Sequence, residues 1–417
     1  MIFHLKQNNR IHVHLLFMGK GKSSGLCFAS VVSFRHSMRL VGKYIHCFQR
    51  GFPAPLFPFL CTIIMLSCCV LPAHAQPHPG PVLRDVAPVP VGVAIGYFPM
   101  MQDSVYRRIV TQQFNQVTFE YALKNGAIVR PDGRLDFHQA DALVQVCTDA
   151  GLKIYGHTLC WYQNNSPYMQ RLAGDSAALE NFLKQYIRTV MHRYPQIHAW
   201  DVVNEAIDDS TGLLRVDGSR RPGYFYWGRY LGAHYVARVF AYAHAANPSA
   251  ELFYNDYDLE TNSKKLAGVL RLIDTLRAHH VPITGIGTQM HISISTPDND
   301  IDRMFRALAA TGLKVRISEL DIRVNPHHNP HMVLTPELER LQAQKAAHVI
   351  RSYFRYVPPA QRHDITFWNV GDRDSWIVRA LHETDWPTMF DSTYHPKPMF
   401  DSVYQALQKV ERAAAYP

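Results

Sequence analysis

Two short stretches hold residues that could do chemistry together. In His198-Ala-Trp-Asp-Val-Val-Asn-Glu-Ala-Ile207 an apolar, strand-like run stops at an amide, Asn204, and a carboxylate, Glu205. In Val315-Arg-Ile-Ser-Glu-Leu-Asp-Ile322 two acids, Glu319 and Asp321, stand two apart, so on a strand they face the same side. Two glutamates facing each other across a cleft can flank a glycosidic bond, one as general acid and base, the other as nucleophile. Glu205 and Glu319 are the pair expected to do this. Taken singly, each reads as easily as a helix cap or a surface charge. The weight therefore falls on the elements that bring them together.

Strand-like runs at 91–96, 116–120, 153–159, 199–205, 251–257, 285–292, 315–322 and 364–370 alternate with helical patterns. The helical patterns include 137–150, 177–193, 232–246, 263–279, 301–312 and 336–355, with Gly151, Asn247-Pro248 and Gly312 as end signals. Regular β-then-α alternation argues a parallel sheet under helical cover. Eight repeats favour a single (β/α)8 TIM barrel over a doubly wound sheet. No glycine-rich phosphate loop follows any strand, which counts against a nucleotide site.

A barrel carries its site at the C-terminal ends of its strands. In chain order those ends hold Glu120 and Lys124, His157 and Trp161, Asn204 and Glu205, and Asn255-Asp-Tyr257. Gln289 and His291, Glu319 and Asp321, and Trp368 with Asp372, Asp374 and Trp376 follow. Such a rim suits a sugar, because hydroxyls take polar partners and the apolar ring faces take aromatic platforms. Neither His157 nor His291 has a metal-ligand partner at suitable spacing, so no metal or cofactor is expected.

Residues 91–407 resemble glycoside hydrolase family 10, the endo-1,4-β-xylanases. The resemblance rests on five motifs in the family's order: Gly156-His-Thr-Leu-Cys-Trp161, Trp200-Asp-Val-Val-Asn-Glu205, Gly285-Ile-Gly-Thr-Gln-Met-His291, Ile317-Ser-Glu-Leu-Asp321, and Ile365-Thr-Phe-Trp368 with Asp374-Ser-Trp376. It implies Glu205 as acid/base and Glu319 as the nucleophile that forms a covalent glycosyl-enzyme. Asn204 would hold a sugar 2-hydroxyl. His291 would bond Glu319, and Asp321 would orient His291. Glu120, Lys124, His157 and Gln289 would bind the glycone sugars. Trp161, Trp368 and Trp376 would wall the reacting subsite. The family retains anomeric configuration, which implies carboxyls ~5–5.5 Å apart. In this reading the negative charge of Glu319 raises the pKa of Glu205. The implied partner is xylan, met by a monomer; the same mechanism on another β-1,4-glycan and a non-catalytic sugar-binding barrel are the rivals. Three positions depart from the family pattern: Tyr121 after Glu120, Tyr162 after Trp161, and Asn369-Val-Gly371.

Composition adds boundaries. The net charge of +9 is concentrated in residues 1–75, which hold eight of the 43 basic residues and none of the 34 acidic ones. The rest of the chain is nearly neutral, so there is no basic footprint for nucleic acid. The basic region, the apolar run of 57–71 and Ala73-His-Ala75 form the pattern of a secretory signal cleaved before Gln76, with Met38 as an alternative start. The apolar run is short for a membrane span; lipid attachment at Cys68 or Cys69 is the alternative route to a membrane. A Pro-rich leader is expected over 76–90 and the catalytic domain over 91–417. Only Cys147 and Cys160 lie beyond the leader, and both read as buried thiols rather than a disulfide framework.

Overall fold

The computed structural model describes residues 2–7, 10–15, 80–216 and 224–415. They belong to two units, Met1–Pro79 and Gly80–Pro417. In the first, Ile2–Gln7 pairs antiparallel with Arg10–Leu15. The expected signal run and cleavage site, with Cys68 and Cys69, lie outside the described residues.

The second unit is built on eight strands: β1 Val91–Ile95, β2 Gln116–Phe119, β3 Lys153–Trp161, β4 Ala199–Asn204, β5 Glu251–Asp256, β6 Gly285–Thr288, β7 Lys314–Arg323 and β8 Arg362–Phe367. Each runs parallel to the next, and β8 pairs with both β7 and β1. The sheet is therefore a closed (β/α)8 barrel. Its strands read as near-continuous apolar runs because both of their faces are covered; every residue of β1 and β2 is buried. The surrounding helices are amphipathic, and several begin at side-chain caps. Asp175, Asn262 and Thr335 accept from Ala178, Lys265 and Leu338 N–H groups, satisfying donors that the first helical turn leaves open.

The barrel interior is not wholly apolar. Arg316 of β7 is fully buried, pairs with Asp364 at 2.7 Å and Asp201 at 3.4 Å, and lies 3.4 Å from the Tyr155 ring centroid. Burial is stabilising here only because these carboxylates and the ring replace the lost water. Asp201 Oδ2 also meets His157 Nδ1 at 2.8 Å, so the network reaches up to the rim.

Beyond shifts of one or two residues at strand ends, the observed elements differ from the sequence reading at three places. The run expected over 285–292 is broken: β6 stops at Thr288, Met290 takes a φ of 60°, and pairing resumes at His291–Ser293. The last strand is 362–367, so Trp368, Asn369 and Val370 form a loop in which Asn369 has a φ of 71°. Residues 80–90, expected as part of the leader, belong to the barrel unit. Leu83–Val86 is a short helix with Leu83 fully buried and its N–H donated to Gln113 Oε1 at 3.1 Å. Leu83 shows no periodic pattern in sequence; its burial, with Val86, Ala87 and Val89 packed on the same core, fixes the segment. Cys147 and Cys160 are both buried and unbridged.

Candidate active site

Glu205 directly follows β4 and takes a left-handed backbone, φ 57°, a conformation that costs about 1–3 kcal/mol outside glycine and needs support. Support comes from several sides. Its N–H donates to Asn255 O at 2.8 Å, and Arg215 Nε donates to its carbonyl at 3.1 Å. The next residue, Ala206, donates its N–H to Tyr254 Oη at 3.0 Å. The carboxyl accepts from Gln289 Nε2 at 2.8 Å and Asn204 Nδ2 at 3.1 Å. The buried indole N–H of Trp161 lies near the same carboxyl but is not aligned as a hydrogen bond.

Glu319 sits inside β7, where alternation turns it to the same face as Asp321. Asn255 Nδ2 donates to its Oε1 at 2.8 Å, and His291 Nε2 lies 3.3 Å from its Oε2. The other imidazole nitrogen, Nδ1, makes an ion-pair contact of 2.9 Å with Asp321. Asp321 in turn accepts from Trp376 Nε1 at 2.8 Å. His291 therefore bridges both acids of β7.

One chain of amides joins the two glutamates. Asn255 Nδ2 also donates to Asn204 Oδ1 at 2.9 Å, and Asn204 reaches Glu205. The amide of Asn255 is oriented from behind, since Ser318 Oγ donates to its Oδ1 at 2.6 Å. Gly287 makes room for it: a Cβ there would lie 2.2 Å from Asn255 Oδ1.

The two carboxyls are set in opposite directions. Burial raises the pKa of Glu205, Asp256 adds to this, and the Gln289 hydrogen bond and Lys265 oppose it. The sequence reading assigned this rise to Glu319; burial is the larger cause, and Asp256 the leading charge that adds to it. Burial also acts to raise Glu319, but the hydrogen bond from His291 and the charges of His157, His291 and Lys124 overcome it and hold the group down at about 2. The imidazole of His291 loses some of its proton affinity to burial, but Asp321 and Glu319 more than restore it, to about 10.

The other expected residues gather on the same rim. Lys124 is buried, with Nζ 4.5 Å from the Trp161 ring centroid and 5.8 Å from that of Trp368. Burial lowers its pKa, against the opposing charges of Glu319, Glu120 and Glu205. His157 packs edge-on against Trp368 at 5.5 Å, and Trp376 lies 5.1 Å from the His291 ring. Glu120 has its pKa raised by burial and eased by the charges of Lys124 and Arg379 and by the nearby Asn369 amide. Asn369, one of the departures from the family pattern, also accepts from the Trp376 N–H at 3.0 Å. Tyr121 is 45% exposed beside Glu120, whereas Tyr162 is buried and stacks on Tyr226 at 5.6 Å.

Sequence reasoning placed Asn255 at a strand end but gave it no part in the site, and it did not single out Arg215 or Lys265. Lys265 is fully buried between Asp256, 2.9 Å away, and Asp209, 2.7 Å away. Asn255 meets Asn204 and Glu319 on other strands, Arg215 meets Tyr257, and Lys265 meets Asp209, contacts that no local pattern marks. Among the described residues no group of three His, Cys, Asp or Glu side chains is placed to hold a metal ion, and no helix is long and apolar enough to cross a membrane.

The chain is similar to several known proteins. The sequence model of glycosyl hydrolase family 10 matches residues 83–406. The chain is 32% identical over 351 residues to endo-1,4-β-xylanase A of Cellvibrio japonicus, covering 78% of this chain and 56% of that protein. It thus spans little more than half the length of that relative. It is 33% identical over 304 residues to endo-1,4-β-xylanase B of Paenibacillus barcinonensis, covering 70% of this chain and 88% of that one. Among solved structures it is similar to a mutant of xylanase 10C from Cellvibrio japonicus in complex with xylopentaose. That similarity has a TM-score of 0.71 and 28% identity, over 78% of this chain and 69% of the other.

Proposed function

Because this chain belongs to glycosyl hydrolase family 10, we propose that it is an endo-1,4-β-xylanase that cuts internal bonds of the xylan backbone with retention of configuration. The observation that carries the reading is the opposed setting of two buried glutamates joined by one chain of amides. Glu319, ionised down to about pH 2, is the nucleophile that attacks the anomeric carbon. Glu205, with its pKa raised, is the acid that protonates the leaving oxygen. In the second half of the reaction Glu205 accepts a proton from water as that water displaces Glu319 from the sugar.

The remaining groups position the substrate. Asn204, already tied to Asn255 and Gln289, offers its amide to the 2-hydroxyl at the reacting sugar. His291 keeps a donor on Glu319, and Asp321 fixes the orientation of that ring. Glu120, Lys124, His157 and Gln289 bind the glycone hydroxyls. Trp161, Trp368 and Trp376 present indole surfaces to the pyranose rings.

The test is hydrolysis of linear xylan against carboxymethyl-cellulose, with the product anomers followed by proton NMR. Release of β-configured xylo-oligomers from xylan alone is the expected result. Initial α-anomers would contradict retention, and faster cleavage of the cellulose derivative would contradict the substrate assignment.

A further inference from the structure

Beyond Glu120 the rim opens into a groove of about 560 Å3 between the short helix after β1, Tyr97–Gln102, and the segment after β8. Phe98 and Asp103 line it from one side, and Arg373, Asp374 and Arg379 from the other. The groove adjoins the glycone end of the site. Arg379 and Asp374 both act electrostatically on Glu120, and Gly96, just before this helix, sits where a Cβ would be 3.7 Å from Glu120 Oε2.

Most charges in the groove are already matched. Asp103 pairs with Arg373 and accepts the N–H groups of Val105 and Tyr106. Arg373 lies over the Tyr394 ring, 4.0 Å from its centroid. Asp374 is buried and accepts from Tyr394 Oη and the Gly371 N–H, each at 3.2 Å. Arg379 differs. It is exposed, and among the described residues no side chain meets its guanidinium at hydrogen-bond or ion-pair distance. Phe98 is 60% exposed, held edge-on against Tyr97 at 5.2 Å, and so shows an apolar face to the same groove.

A planar cation with five donors matches a carboxylate, and an exposed aromatic ring matches the apolar face of a sugar. An unbranched xylose backbone carries no carboxylate; a uronic acid branch does. We propose that this groove extends the glycone end of the site and takes a uronic acid branch of the xylan, with the carboxylate on Arg379 and the sugar face on Phe98. The proposal rests on the xylanase reading above.

Three xylo-oligosaccharides of one backbone length test it: linear, carrying one glucuronate branch on a glycone-side sugar, and carrying the same branch with its carboxylate reduced to an alcohol. The wild-type protein should favour the acidic branch over the reduced one in kcat/KM by about five- to tenfold, the size of one charge-assisted hydrogen bond in a wet groove. Arg379→Ala should bring that ratio to one; any change it makes through Glu120 falls on all three substrates and cancels in the ratio. Phe98→Ala should slow both branched substrates and leave their ratio unchanged. Equal rates on the two branched forms in the wild type, or a preference that survives Arg379→Ala, would overturn the proposal. Loss of all hydrolysis of the linear substrate by the wild type would instead strike the xylanase reading itself.

Discussion

In the proposed mechanism Glu205 and Glu319 divide the chemistry because their surroundings differ. The productive form has Glu319 ionised and Glu205 protonated, and it is filled between their two pKa values. Glu319 is held at about 2, so kcat/KM should show no acid limb until the pH approaches that value. The alkaline limb belongs to Glu205, whose proton is lost only above the ordinary glutamate range. A pH profile of kcat/KM on xylan checks both limbs; an acid limb near the ordinary glutamate value would contradict the assignment of Glu319. Glu205→Ala should slow xylan by about 10²–10⁴-fold. An aryl glycoside with a good leaving group should lose far less, and equal losses on both would argue against the acid role. The two glutamates were legible in sequence because each ends or interrupts an apolar run. The source of the raised Glu205 pKa was not, since the depth of burial and the nearness of Asp256 are set by packing across strands.

At the scale of elements, the site depends on the register of β4, β5, β6 and β7. Asn255 at the end of β5 touches Asn204 and Glu319, and Gly287 on β6 leaves the space for it. Asn255→Ala should remove a donor from the Glu319 carboxylate. Its pKa then rises, and the acid limb of the pH profile moves upward. An unmoved limb would contradict the positioning role. Gly287→Ala should act on the same amide through crowding. The strands themselves were legible from apolar runs and their spacing, and the helices from periodicity and caps. The break at Gln289–Met290 and the loop at Trp368–Val370 were not, because both depend on left-handed residues, Met290 and Asn369, whose types do not force that conformation. Asn369 keeps the conformation while accepting from the Trp376 backbone N–H, a link that no local pattern shows.

For the whole molecule, the eightfold alternation was enough to identify a closed barrel, and the motif order was enough to identify the family. The start of the barrel unit was missed, because residues 80–90 look like a Pro-rich connector until Leu83 is seen buried beside Gln113. Leu83→Ala should lower stability by about 2–5 kcal/mol without changing the pH profile, read as a shift of the urea midpoint. A variant starting at residue 91 should be destabilised at least as much. We propose that the basic, apolar leader directs export with cleavage before Gln76; intact mass of the secreted protein checks it, and retention of residues 1–75 would contradict it.

The central claim is that Glu319 becomes covalently bound to the sugar. It is tested most directly by incubating the protein with a 2-deoxy-2-fluoro xylobioside that carries a good leaving group. Such a substrate forms the glycosyl-enzyme faster than it is hydrolysed. Peptide mass spectrometry should then find one added disaccharide on the peptide containing Glu319, and none in Glu319→Ala. A label on another residue, or full turnover of xylan by Glu319→Ala, would contradict the account.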